Sequence, residues 1–174
     1  MSKLEVDAIE PQSGTTLTLG ASGDTINLAS GATAGAGFVG KVIQVVTAFN
    51  ASAVSTTSTS YVDITSVTAS ITPNSTSNKI LVIYSSDALY SLVASTNVNY
   101  FHNVLRNTTQ ISQRLLTAAS ASGGLQARGA MCITVLDSPN TTSSVTYKAQ
   151  HKVSSGSSAG TTNDTSITLM EIAG

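Results

Sequence analysis

Charged residues make up only 10% of this 174-residue chain, against about 25% in ordinary globular proteins. The net charge is −1. So few cations cannot build a basic patch, which argues against nucleic acid as a partner and against polybasic attachment to a membrane. Tryptophan is absent, and the chain has one cysteine and two histidines. A lone cysteine allows no disulfide within the chain, so stability has to come from packing and assembly. Neither end carries a long apolar run, so no secretory signal and no membrane insertion are expected, and Met1-Ser2-Lys3-Leu4-Glu5 reads as an unprocessed cytosolic start. Helical periodicity is missing too: no window of about eleven residues or more repeats its apolar positions every 3.6 residues.

What is present favours strands. Ser and Thr together supply about 30% of the residues, hydrophobic residues supply 41%, and the β-branched types are frequent. Two short matching pieces stand near the N-terminus, Leu17-Thr18-Leu19 and Ile26-Asn27-Leu28, nine residues apart and separated by a Gly/Ser/Asp turn. Each makes a short strand with one apolar edge. Four apolar side chains cannot offset the entropy of ordering such a segment, and two tiny strands have nothing to close against. Leu17, Leu19, Ile26 and Leu28 are therefore expected to form the core of an intertwined stem shared by sister chains.

Composition divides the chain into three parts. Residues 1–12 read as an attachment segment, 13–40 as the β-repeat stem with a Gly/Ala-rich linker, and 41–174 as a series of eight or nine short strands with turn signals between them. Lys79 to Tyr84 contains a continuous apolar run, the mark of a strand covered on both faces. Asn97–Arg106 and Thr109–Leu116 read as a hairpin around Asn107. From Val145 to Val153 the pattern alternates cleanly, with one core face and one wet face. The last strand candidate, Ser166–Ile172, is apolar on both sides, which suggests a subunit interface on its outer face and marks Ile167, Leu169, Met170 and Ile172 as the candidate interface strand. The fold class expected is all-β: a short N-terminal intertwined β stem followed by a jelly-roll-like antiparallel β-sandwich.

Residues for chemistry are sparse. His102 and His151 are isolated, have no Cys partners and suit a hydrogen-bonded core or interface better than a metal site. Asp24, Asp137 and Asp164 stand beside Ser, Thr or Gly, where Asp serves turns and edge hydrogen bonds, and Asp63 is expected to face solvent. No nucleophile elbow, P-loop or dinucleotide fingerprint appears, and Gly31, Gly35, Gly37 and Gly40 lack phosphate-loop spacing. The expectation is a protein that is not an enzyme and needs no cofactor or metal. Cys132, between Met131 and Ile133, reads as a small buried apolar side chain on a strand.

Two long polar segments, 117–126 and 154–163, read as loops where recognition residues commonly sit. Ser122, Gly123, Gln126, Ser157, Ser158 and Asn163 are the candidate receptor-facing residues. Tyr84, Tyr90 and Tyr100 either offer stacking to a sugar or serve as amphipathic residues at the core edge.

An ordered set of motifs carries a family resemblance. Ile9-Glu10-Pro11-Gln12-Ser13-Gly14-Thr15-Thr16-Leu17-Thr18-Leu19-Gly20 resembles the N-terminal stretch of small tail-fibre and structural proteins of marine bacteriophages, cyanophages especially. Lys41-Val42-Ile43-Gln44-Val45-Val46, Ser58 to Asp63, Ile71-Thr72-Pro73, Ser77 to Val82, Leu136-Asp137-Ser138-Pro139 and Ile167 to Ile172 resemble the globular end of the same proteins. The resemblance implies a virion structural protein. It would be a homotrimer with a β-rich stem and a β-sandwich tip, held to other virion proteins through its N-terminal segment. The tip would face a host surface glycan or protein. Because only about 12 residues precede the stem, a capsid decoration, cement or head-fibre protein without receptor contact is the alternative.

Overall fold

Val, Ile, Thr and Tyr dominate the stretches that become extended, and Gly, Asn, Pro or Ser clusters separate them, so β-structure forms throughout. In a computed structural model of the chain the described residues are 42–92, 98–118, 126–154 and 158–174. They form nine strands: β1 (Val42–Asn50), β2 (Val54–Thr56), β3 (Val62–Ile71), β4 (Lys79–Leu92), β5 (Val98–Arg106), β6 (Thr109–Ala118), β7 (Gln126–Asp137), β8 (Val145–Val153) and β9 (Ser158–Ile172). Among the described residues there is no helix. The stem residues Leu17, Leu19, Ile26 and Leu28, and the boundaries expected at 12 and 40, lie outside the described residues.

The strands pair antiparallel in two sheets of order β1-β9-β4-β7 and β3-β8-β5-β6, with β2 on the first half of β9. The pairing is nested. The first strand meets the last, and then β3 meets β8, β4 meets β7 and β5 meets β6. One long hairpin rolled into two sheets gives this order, which is the jelly roll. Strand periodicity leaves several sandwich topologies open; the pairing selects one. The sheets close on each other where β1 lies against β3 and β6 against β7. Between them sits an apolar core that includes Ile64, Val67, Val82, Ile133, Val145 and Leu169.

Several expected elements change extent. The last strand does not start at Ser166. It starts at Ser158, lies in the middle of its sheet and pairs with β1, β2 and β4. Ser158 to Asn163 belong to this strand and not to a loop. Small residues are required there because Gly160 lies against the buried Tyr100 ring. A Cβ at Gly160 would fall inside that ring, and Tyr100 is fully buried. Gly160→Ala is therefore expected to cost about 1–3 kcal/mol or more, read as a lowered urea midpoint. An unchanged midpoint would mean that the ring can move aside.

β3 contains another departure from simple alternation. Its pairing with β8 shifts between Asp63 and Thr68, and Ser66 adopts a left-handed φ of 63°. The three extra residues on β3 let Ile64 and Val67, three apart, reach the same core face. The hairpin around Asn107 forms as expected. Asn107 itself is left-handed at φ 53°, and its N–H and side chain tie the turn to Thr146 on β8.

The registers also define two poles. β1 begins at one pole, where Val42 pairs with Ile172 and Ile172 pairs with Lys79. At the other pole Leu92 pairs with Ser158, Ser91 with Gln126, and Val98 with Ala118. The strand ends that flank segments 93–97, 119–125 and 155–157 all lie at this second pole.

Candidate assembly and recognition surfaces

Alternation along β9 sorts its apolar residues between two faces. Ile167 and Leu169 point into the sandwich and are fully buried, while Thr168, Met170 and Ile172 point outward. Of that candidate interface strand, Ile167 and Leu169 line the core, and Met170 and Ile172 reach the outer face on which the interface is expected.

Their neighbours extend that face across the sheet. Val45 pairs with Met170, Met170 with Leu81, and Leu81 with Leu136, giving one apolar row four strands wide. The next row is Thr47, Thr168, Ile83 and Thr134, followed by Phe49, Ser166, Ser85 and Cys132. Val45, Phe49 and Leu136 are 55%, 58% and 54% exposed. No charged residue stands in these three rows; Lys79 lies at one end, and the Asp87–Arg128 ion pair (3.4 Å) at the other. Cys132 is exposed on this face, not buried as its neighbours suggest, because Met131 and Ile133 take the inward positions.

The opposite outer face, on β3-β8-β5-β6, is polar. Asp63, Gln150, Asn103 and Gln113 form a row across all four strands. Asp63 accepts from Lys148 Nζ (2.9 Å) and Gln150 Nε2 (2.7 Å). The Lys148 hydrogen bond is the main cause holding the Asp63 carboxyl below its ordinary pKa. Beside this row Tyr61 donates its hydroxyl to Gln113 Oε1 (2.8 Å), and Lys152 Nζ lies 4.6 Å from the Tyr61 ring centre and 5.1 Å from that of Phe101. The half-exposed aromatic rings are thus Tyr61 and Phe101. Tyr84 and Tyr100, candidates for sugar stacking, are buried in the core, and Tyr90's side chain lies outside the described residues. Alternation along β5 carried the signal, since Tyr100 inward requires Phe101 outward.

Between the sheets lies a polar cluster. Tyr84 on β4 meets His102 Nδ1 on β5 at 2.6 Å, and Tyr100 meets His151 Nδ1 on β8 at 2.6 Å. The two histidines are register partners, and the Tyr100 and His102 rings make an edge contact at 4.4 Å. Burial pushes His102 down to about 3, with the nearby His151 adding to the effect, and burial pushes His151 down to about 4. Both imidazoles are therefore neutral at neutral pH. They are core histidines, as their isolation in the sequence suggests. Among the described residues no group of three or more His, Cys, Asp or Glu side chains could hold a metal ion.

A second polar knot closes the entry pole. Glu171 is fully buried and accepts from Gln44 Nε2 (2.5 Å), the Asn74 N–H (2.6 Å) and Asn78 Nδ2 (2.5 Å). Nearby, Arg106 Nη1 donates to both oxygens of Asp137 at 2.9 Å, and Tyr147 donates to the same carboxylate at 2.6 Å, which links the two sheets. Asp137, at the end of β7, thus accepts the hydrogen bonds of an inter-sheet bridge.

Of the candidate receptor-facing residues, Ser122, Gly123 and Ser157 lie outside the described residues. Gln126 and Ser158 are the first residues of β7 and β9 at the pole opposite Val42. Asn163 is a β9 residue paired with Asp87, well inside the sheet.

No protein-family model matches the sequence, and no curated protein sequence matches it. Among solved structures, the chain is similar to one described as infectious bursal disease virus, Gx strain, at 13% identity and a TM-score of 0.40 over 76% of this chain and 33% of that one. It is also similar to a mutant VP2 protein of infectious bursal disease virus in derived T=1 particles, at 13% identity and a TM-score of 0.32 over 75% of this chain and 36% of that one. The chain spans about a third of the length of these matched chains.

Proposed function

We propose that this chain is a virion structural protein of a bacteriophage, a short trimeric fibre whose sandwich contributes to host attachment. The observation that carries the reading is the polarity of the jelly roll. β1 enters at one pole beside Ile172, while the strand ends flanking 93–97, 119–125 and 155–157 lie at the other. A sandwich that β1 enters at one end, with these strand ends at the other, suits a fibre tip; the connections 72–78, 107–108 and 138–144 share the entry end. The ordered tail-fibre-like motifs support the virion assignment. The jelly roll supports it by analogy, as a fold used by viral capsid and lectin domains. On this reading residues 1–12 join other virion proteins, residues 13–40 form the shared stem, and the partner at the far pole is a host surface glycan or protein.

The test is location and competition. Labelled antibody against the chain should mark tail or baseplate fibres on purified virions, and the free protein should slow adsorption to host cells. Labelling of capsid vertices or capsomers with no effect on adsorption would instead establish the decoration or cement role. Turnover of host polysaccharide by the purified protein would overturn the non-enzymatic reading.

A further inference from the structure

We propose that the outer face of the β1-β9-β4-β7 sheet is the surface on which three copies of this chain meet around a three-fold axis parallel to the strands. The inference rests on the trimeric reading above and supplies the contact surface for it.

The first argument is composition. Five of the seven exposed large apolar side chains among the described residues, Val42, Ile43, Val45, Phe49 and Leu136, lie on this face or its margin. Isolated exposed apolar residues need no explanation, but a contiguous apolar sheet face marks an interaction site. Four strands at about 4.8 Å by about eight residues at ~3.3 Å give a patch on the order of 500 Å², against the ~800 Å² each partner gives to a standard interface. In a trimer each copy shares this patch between two neighbours, so it supplies about 250 Å² to each contact, roughly a third of a standard one, before any rim is counted.

The second argument is charge. A three-fold axis along the strands brings each row of side chains against the same row of the neighbouring copies. The Val45–Met170–Leu81–Leu136 row then meets itself, and no charge enters the interface. The charged groups on this sheet's exposed side are Lys79 at one end and, at the other, the Asp87–Arg128 pair with the exposed Asp164 in the β9 bulge beside the Ser166 row. A partner with a charged surface would find nothing to pair with in these rows.

The third argument is shape. Three flat faces about 19 Å wide, set as a triangular prism, lie about 5.5 Å from the axis, close to half the ~10 Å spacing of packed sheets. Side chains from each copy therefore just fill the centre. The same axis places all three Val42 entry points at one end, as one stem requires. A face-to-face pair with crossed or reversed strands would send them to opposite ends.

The test uses the full chain. Wild type, the double variant Val45→Glu/Leu136→Glu and the control Leu115→Glu, on the other sheet, are compared by sedimentation equilibrium and by the rate at which a maleimide probe labels Cys132. All three substituted side chains are exposed in the subunit, so its fold should be preserved. Wild type and control should be trimers with Cys132 shielded. The double variant should dissociate at micromolar concentration or, where the stem holds the chains together, label Cys132 about tenfold faster. A wild-type trimer with Cys132 labelled as fast as in the double variant would overturn this face and leave the trimer standing. A wild-type monomer would overturn both, whereas virion labelling tests the fibre reading separately.

Discussion

Stability is expected to fall by about 5 kcal/mol between pH 6.5 and pH 4.5, with unfolding near pH 5.5 taking up close to two protons. The source is the buried imidazole pair. His102 and His151 are fully enclosed, each held at Nδ1 by a tyrosine hydroxyl, and burial sets their pKa values at about 3 and about 4. In the unfolded chain each titrates near 6.5. The folded state thus refuses protons that the unfolded state accepts. The stability is complete above about pH 6.5 and is lost at about 1.4 kcal/mol per pH unit for each histidine as pH falls toward the folded values. The lowered carboxyls, Asp63 and Glu171, add to the slope as pH falls below about 5, where unfolded carboxylates begin to bind protons. Since domains have about 5–15 kcal/mol in total, acid should bring this one near its midpoint. Urea midpoints measured across this range at fixed protein concentration check the expectation. A single His102→Gln or His151→Gln variant should halve the slope. A flat profile for the wild type would mean that the imidazoles charge without unfolding, contrary to their enclosure.

Much of the strand content was legible, for physical reasons that differ from strand to strand. β8 alternates because one of its faces meets the core and the other meets water, and the structure follows the sequence residue by residue from Val145 to Val153. The Asn107 hairpin was legible because Asn tolerates the left-handed turn conformation. His151 was legible as a core residue because it shares the apolar parity of Val145 and Val153. The first half of β9 was not legible. Ser158, Gly160 and Thr161 look like a loop, but long-range pairing with β4 and the need to pass beneath Tyr100 make them strand. β3 misleads in another way, since the bulge at Ser66 breaks its alternation. The outer apolar face was half legible. Met170 and Ile172 announced it, but Val45, Leu81 and Leu136 join them only through pairings between residues far apart in the chain. No local pattern carries that information, because strand order comes from the rolling of the whole hairpin. The same holds for Glu171. A carboxylate between Met170 and Ile172 reads as a solvent-facing residue until the 72–78 turn is seen folded over it.

That carboxylate leads to the other large effect. Glu171→Ala is expected to cost about 3–5 kcal/mol. Glu171 is buried and makes no ion pair among the described residues, and three donors replace the lost water. Burial works to raise its pKa, but the hydrogen bonds from Asn78, Gln44 and Asn74 together outweigh that effect and hold the carboxyl below its ordinary range. Removing the carboxylate would leave the Asn78 amide and the Asn74 N–H without their acceptor, while Gln44 would keep its bond to the Thr72 carbonyl (2.8 Å). Glu171→Gln would keep one acceptor oxygen but turn an NH₂ group toward the donors, so an intermediate loss of about 1–3 kcal/mol is expected. Urea denaturation gives the size of the loss, and amide exchange locates it. In Glu171→Ala the Asn74 and Asn78 amides should exchange well ahead of the core. The consequence reaches assembly through geometry. Asn78 also accepts from the Gly174 N–H (3.1 Å), so one carboxylate organises the 72–78 turn and the chain end around the Val42–Ile172 pair. This is the pole at which β1 enters. On the trimeric reading proposed above, a load passed through β1 would reach that pole first, so Glu171→Ala should loosen it at conditions where the rest of the sandwich is still folded. A variant as stable as wild type, with unchanged exchange at Asn74 and Asn78, would show that water can replace the carboxylate and that this pole is held by strand pairing alone.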